Sequence, residues 1–350
     1  MKGRTAKRWS GSHRHLTERT DMPTFDTPQP IEVVVELGVG DIHVAAADRH
    51  DTVVSVQPSN PAKPSDVAAA EQTRVELADG VLQVKASKGW KRYAFWGSGE
   101  SIEVRIEVPA GSHLRGDVGI AALRTTGTLG DCRYKAGAGD ITVAHVAGSA
   151  QIATGTGTIR VDRIGGPATI KNANGDVSVG EVVGDVEVRV ANGKITVDRA
   201  HAAVTAKTAN GDISLDEVAS GVVVAQTARG KVDVGVRAGV AAWLDLHTGF
   251  GQVRNLLETT GRPEPSEETV EVRARTAFGD ITVRRAGRGP TTADDELPAV
   301  TPASPSPMPT PPGSLPPSPG TGHGPEATAA AAGGMAPSNS LWSQPRSLHL

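Results

Sequence analysis

Between Ile141 and Val224, apolar residues return at fixed offsets from a glycine that recurs every 18 residues, at Gly139, Gly157, Gly175, Gly193 and Gly211. With each glycine counted as zero, offset 2 holds Ile141, Ile159, Val177, Ile195 and Ile213, and offset 4 holds Val143, Val161, Val179, Val197 and Leu215. Offset 7 holds Val146, Ile164, Val182, Ala200 and Val218, and offsets 11 and 13 run from Ala150 and Ile152 to Val222 and Val224. Steps of two mark strands with one buried face; steps of three and four mark corners. A fixed short period of this kind is the signature of a chain wound into stacked coils, one repeat per turn. A second glycine (Gly148, Gly166, Gly184) halves the repeat, so each turn is predicted to hold two short strands and two bends. Five turns stacked at ~4.8 Å make a rod segment of roughly 24 Å.

Outside this array the pattern loosens. Gly230, Gly251 and Gly279 follow at wider spacing, and the last gap reads as one further turn with an inserted loop around Arg262-Pro-Glu-Pro-Ser-Glu-Glu. Residues 31 to about 115 alternate as irregularly spaced strands ended by Pro58, Asp79-Gly80 and Pro109, with Val67 to Gln72 the one helical stretch. The predicted fold is therefore all-β: a single-stranded, β-helix-like solenoid of 18-residue turns preceded by irregular β-strands. The predicted organisation is a basic arm or mis-called start over 1–21, a β-strand-repeat domain over 22–286 with its regular array at about 133–230, and a disordered tail over 287–350. That tail holds 14 of the 24 prolines and lacks the apolar surface that would offset its ordering entropy.

Composition narrows the chemistry. The formal net charge is -3, so no global field favours nucleic acid. The chain has 11 aromatic residues, too few for a conventional globular core, but Val, Ile, Ala and Thr suit thin layered β-structure. Cys132 is the only cysteine, which excludes an intramolecular disulfide and a multi-cysteine metal site. No run approaches the ~20 apolar residues that span a bilayer. The basic first residues lack an apolar stretch, and a cytoplasmic location is expected.

Several constellations invite functional readings. The Gly-Asp pairs at 40, 139, 175, 211 and 279 resemble calcium-binding β-roll repeats, but the residue after glycine runs Asp140, Thr158, Asp176, Lys194, Asp212, Lys231. Ammonium groups within that column are incompatible with a cation ladder. As stacked neighbours they instead predict an alternating charge ladder, repeated at offset 6 by Arg163, Glu181, Arg199 and Glu217. Offset 15 (Thr154, Asn172, Val190, Thr208) reads as a corner stack satisfying backbone groups, with a sugar groove as the alternative. Asp162, Asp198 and Asp216 share offset 5 and match the stacked carboxylates of β-helix lyases only in part, because Ala144 and Gly180 interrupt them. No nucleophile elbow, phosphate loop or metalloprotease helix is present, so no catalytic residue, metal or cofactor is expected. The candidate binding site is Trp90, Lys91, Arg92, Tyr93, Phe95 and Trp96, which hold four of the 11 aromatics; the alternative is a plug over one end of the solenoid, with Trp243, Phe250 and Phe278 capping the other.

The segments Met22-Pro-Thr-Phe-Asp-Thr-Pro, Glu36-Leu-Gly-Val-Gly-Asp-Ile, Lys207-Thr-Ala-Asn-Gly-Asp-Ile and Ala241-Ala-Trp-Leu-Asp-Leu, with the stretch from Val270 to Val283, carry a resemblance. From Met22 to Arg285 the chain resembles actinobacterial β-strand-repeat proteins of unknown function, often labelled "putative adhesin". The resemblance implies a β-solenoid and brings no catalytic residues. The expected function is that of a non-enzymatic binding or scaffolding protein for an unknown protein or glycan, without nucleic-acid binding or membrane insertion. The alternatives are an end-to-end self-assembling scaffold similar to bactofilins and a carbohydrate-active β-helix enzyme.

Overall fold

The apolar files stand one above another in the computed structural model, which describes residues 23–86, 100–257 and 269–287. Ile141 registers on Ile159, Ile159 on Val177, Val177 on Ile195 and Ile195 on Ile213, all in parallel strands. The described residues fall in one unit, Met1–Thr292, and are nearly all β, with a single helix, Pro64–Gln72. Each regular turn contributes one strand to each of two faces, as Ile159–Ile164 and Ala168–Asn174 do. Between the faces lies a thin core of Val, Ile, Leu and Ala side chains.

The corners depend on glycine. Gly175 has φ +129, and a Cβ there would lie 2.2 Å from the carbonyl oxygen of Gly157 one rung away. Neither the backbone angle nor the stacking distance admits a side chain. A different glycine makes room inside the core: Gly116 registers on Tyr134, the largest fully buried side chain, and a Cβ at 116 would sit 2.3 Å from that ring.

The structure corrects two details of register and order. The sequence offsets place Val222 and Val224 inward, but Val204 pairs with Val223 and Ala206 with Ala225. The repeat that starts at Gly211 is one residue longer, and with a side-chain period of two one extra residue moves Val222 to the outside, where it is exposed. The last two rungs are also stacked out of chain order. Gly221–Arg229 pairs with Thr269–Phe278, which in turn pairs with Ala241–Phe250; Val232–Val236, Ile281–Arg285 and Val253–Asn255 repeat this on the other face. The chain thus skips one place, builds the outermost rung, then returns to fill the gap. The filling strand carries Val270, Val272 and Ala274, all buried, whereas Leu244 and Leu246 of the outermost strand are only partly covered. The Arg285 guanidinium donates to the carbonyls of Arg237 (3.0 Å) and Val240 (2.8 Å), fixing the crossing.

The N-terminal end is built the same way. Ile31 to Leu37 and Asp41 to Ala45 form one bent strand, Glu32–Ala47. It lies between Val81–Lys85 with Ile102–Pro109 on one side and His113–Thr126 on the other. Where the chain crosses over it, the buried Ser112 hydroxyl accepts the Ile31 N–H (3.1 Å) and donates to the Pro109 carbonyl (2.7 Å). Antiparallel strands Asp51–Pro58 and Arg74–Ala78 then finish this end, with Thr24–Asp26 outside the first of them.

This packing sets the expected outcome of two substitutions. Gly175→Val combines a forbidden backbone angle with a backbone clash, and strain of this kind costs about 1–3 kcal/mol before neighbouring rungs respond; urea denaturation followed by circular dichroism should show a lower midpoint. The Tyr134 hydroxyl is buried without a hydrogen-bond partner among the described residues. Tyr134→Phe should therefore raise stability by about 1 kcal/mol in the same assay, and a lowered midpoint would count against the burial argument.

Candidate functional site

Trp90, Lys91, Arg92, Tyr93, Phe95 and Trp96 lie outside the described residues. The strands that flank them are placed: Val81–Lys85 and Ile102–Pro109 both pair with Glu32–Ala47, in the outermost parallel rung of the N-terminal end. At the opposite end Trp243, Phe250 and Phe278 are not a cap over the core. They point outward, with exposures of 73%, 71% and 51%. Trp243 is out of phase with the inward Leu244 and Leu246, and Phe250 stacks on Phe278 along the outer surface, centroids 5.0 Å apart.

The offset-15 column resolves as a structural stack. Thr154, Asn172, Thr208, Thr227 and Thr276 are buried. Thr208, Thr227 and Thr276 donate to the carbonyls of Gly193, Gly211 and Gly230 at 3.0–3.2 Å. Asn172 donates to Gly157 and Gly175 at 2.8 and 2.9 Å. These bonds occupy corner carbonyls, so no sugar groove runs along this column.

The charge ladder after each corner glycine also takes a different form. Asp140, Asp176, Asp212 and Asp280 each accept the backbone N–H of the equivalent residue on the next rung, at 2.7–2.9 Å. The carboxylate answers a corner amide instead of pairing with the ammonium of Lys194 or Lys231, since an unpaired backbone donor costs more than an exposed ion pair returns. The offset-6 ladder forms ion pairs around Glu181, whereas Glu217 pairs with Arg237 (2.7 Å). Glu181 bonds Arg163 (2.8 Å), Arg199 (3.3 Å) and His201 (3.1 Å). Desolvation pushes its carboxyl up, but the His201 hydrogen bond and the two guanidinium groups together hold it below the usual glutamate value.

Carboxylates do gather at one place. Arg284, almost fully buried, lies over Gly235 and bonds Asp233 (2.8 Å) and Asp216 (3.4 Å). Desolvation, and then the neighbouring Asp216, push the Asp198 carboxyl above its ordinary value. The Cys132 thiol is fully buried and pushed up to about 12 by burial, with Asp131 adding to it, so it stays protonated at neutral pH.

A longer surface feature was not singled out by any motif. On the face built from the second strand of each turn, one outward column reads Lys135, Ala153, Lys171, Arg189, Lys207, Gln226, Arg275, His247 in spatial order. Two residues along each central strand come the exposed Ala173, Ala191, Ala209, Ala228 and Ala277, a floor of methyl groups. Beyond the floor stands an amide ladder, Asn210 donating to Asn192 and Asn192 to Asn174, each at 2.9 Å, continued by Arg229. At the C-terminal end the trough opens into a depression of about 500 Å³ lined by Gln226, His247, Arg275, Gly249 and Ala277 with Thr227 and Thr276. The signal was present in the sequence as basic residues at offset 14, but its continuation past Lys207 depends on the longer repeat and the inverted order of the last rungs.

The two carboxylate environments make opposite predictions. A carboxyl raised by folding destabilises as pH climbs through its raised value, so Asp198→Asn should raise the urea midpoint at neutral pH and leave it unchanged near about pH 3. A carboxyl held low stabilises fully above the ordinary glutamate value, so Glu181→Gln should lower the midpoint at neutral pH, and the difference should fade as pH falls below that value and through the lower folded one.

The family model described as Toastrack DUF4097 matches residues 31–284. Solved structures that match include a "putative adhesin" from Bacteroides fragilis at 12% identity, covering 75% of this chain and 96% of the other with a TM-score of 0.33. A "putative adhesin" from Parabacteroides distasonis matches at 12% identity, covering 74% and 95%, with a TM-score of 0.30. A "putative lipid binding protein" from the same organism matches at 13% identity, covering 76% and 96%, with a TM-score of 0.34. No curated protein matches the chain.

Proposed function

We propose, from the premise that the chain belongs to the Toastrack DUF4097 family, that it is a non-enzymatic β-solenoid whose outer surface binds or scaffolds a partner. The observation that carries this reading is the unbroken outward row on a hydrogen-bonded ladder, the column from Lys135 to His247. Side chains spaced by paired backbones are held at fixed intervals before any ligand arrives, so little ordering entropy is lost on binding. Two of the carboxylates that would suit an enzyme are engaged otherwise, because Asp216 and Asp233 hold Arg284.

One observation favours a form of self-assembly as the second reading. Among the described residues, Ala241–Phe250 and Val253–Asn255 each pair on one edge only, and Trp243, Val253 and Leu256 are exposed on that last rung. The other end finishes in antiparallel strands, so the two ends do not match, and end pairing leads to a two-fold dimer instead of a filament.

Light scattering on the purified full chain separates the two readings. A monomer across the concentration range is expected for the binding module, whereas a dimer abolished by Trp243→Lys would favour end pairing. Affinity capture with wild type and a Trp90→Ala, Trp96→Ala double variant assigns the aromatic segment. Loss of a retained partner in the variant is the expected result, and unchanged recovery would remove that segment from the site.

A further inference from the structure

We propose that the trough beside the cationic column is a site for a linear acidic glycan, a chain of uronic acid sugars laid along the solenoid axis. This deepens the binding reading above and rests on it. The column carries a cost in stability. Lys171 registers directly on Arg189 and Arg189 on Lys207, so three like charges stand at successive rungs, an arrangement that destabilises a sheet. On the opposite face the same fold alternates Arg163, Glu181 and Arg199. Stability alone would favour alternation on both faces. Lys171 and Lys207 have no ion-pair partner among the described residues, and Arg189 and Arg275 pair only with the half-buried Glu187 (2.5 Å) and the exposed Asp245 (3.3 Å). From Lys135 to Arg275 the column contains five cations and no acid over roughly 29 Å, at ~4.8 Å per rung.

Charge favours an anionic chain as the occupant. A polyuronate carries one carboxylate per sugar, with sugars on the order of one rung (~4.8 Å) apart, so a chain laid along the axis presents repeated carboxylates to the long side chains of Lys171, Arg189 and Lys207. The rest of the trough fits a sugar chain. The alanine floor offers methyl groups to the CH faces of the rings, and the ladder of Asn174, Asn192 and Asn210 offers outward amide groups to hydroxyls. The exposed Phe250–Phe278 pair continues the amide row at the C-terminal end, where it can face a ring beside the depression at His247 and Arg275. Single-stranded nucleic acid fits less well. It requires aromatic platforms interleaved with the cations, and the central rungs offer alanine and asparagine.

Fluorescence anisotropy of labelled oligogalacturonates titrated with the purified full chain tests the proposal. Wild type should bind with affinity that rises with oligomer length up to about the six or seven sugars that span the column, and that falls with salt. Lys171→Glu with Lys207→Glu should weaken binding at least about tenfold, and the neutral pair Lys171→Gln with Lys207→Gln should weaken it less. Arg160→Glu with Arg254→Glu, the same charge change on the opposite face, should alter it less than about twofold. The Glu pair should also unfold at a urea midpoint no lower than wild type, because it replaces repulsion around Arg189 with attraction, which separates lost binding from lost folding. No binding by wild type, equal binding by the Glu pair, or tighter binding of labelled single-stranded DNA would each overturn the proposal. If affinity capture retains another partner while oligogalacturonate fails, the binding reading stands and this ligand class falls; if neither is retained, both fall.

Discussion

The molecule rests on parallel backbone pairing between equivalent residues of successive turns. Ile141, Ile159, Val177, Ile195 and Ile213 are each held over their predecessor by the same ladder, and every other regularity is a consequence. Because identical offsets stack, any side chain chosen at one offset meets its own kind at the rungs on either side. Apolar residues then become core files, hydroxyls become a corner stack and asparagines become an amide ladder. Charge is the exception that needs management, and the two faces manage it differently.

That stacking constraint makes the corners the demanding positions. A corner must turn the chain within one rung height and still satisfy its amides and carbonyls. Three devices meet that demand together. Glycine turns at positive φ, an aspartate accepts the next rung's N–H, and a buried threonine or asparagine donates to a glycine carbonyl. The Gly-Asp pairs, which suggest calcium when read as a motif, belong to this corner machinery. Among the described residues no group of three or more metal-ligating side chains assembles.

The ends obey a different rule. A solenoid exposes its core wherever it stops, and at both ends this chain sets one rung out of order so that a strongly apolar strand is sandwiched. At the N-terminal end Glu32–Ala47 occupies the inner place, and at the C-terminal end Thr269–Phe278 does. Ser112 and Arg285 secure the two crossings by side-chain bonds to backbone groups far away in sequence. The outermost C-terminal strand is left with partly covered leucines and the outward aromatics Trp243 and Phe250, the latter stacked on Phe278 of the strand beneath it.

The sequence by itself determined the 18-residue coil, its two strands per turn, the buried offsets and the glycine corners, because a period repeated five times leaves one physically consistent way to stack. It also held the offset-6 ion pairs, since residues at one offset must be neighbours. Tertiary structure alone decided what breaks the period: the extra residue that turns Val222 outward, the inverted order of the last two rungs and the partners of the corner aspartates. It likewise decided that the basic column continues from Lys207 through Gln226 to Arg275, residues distant in sequence that only an out-of-order rung brings into line. These features depend on which strand covers which apolar edge, a competition between distant segments that local spacing does not record.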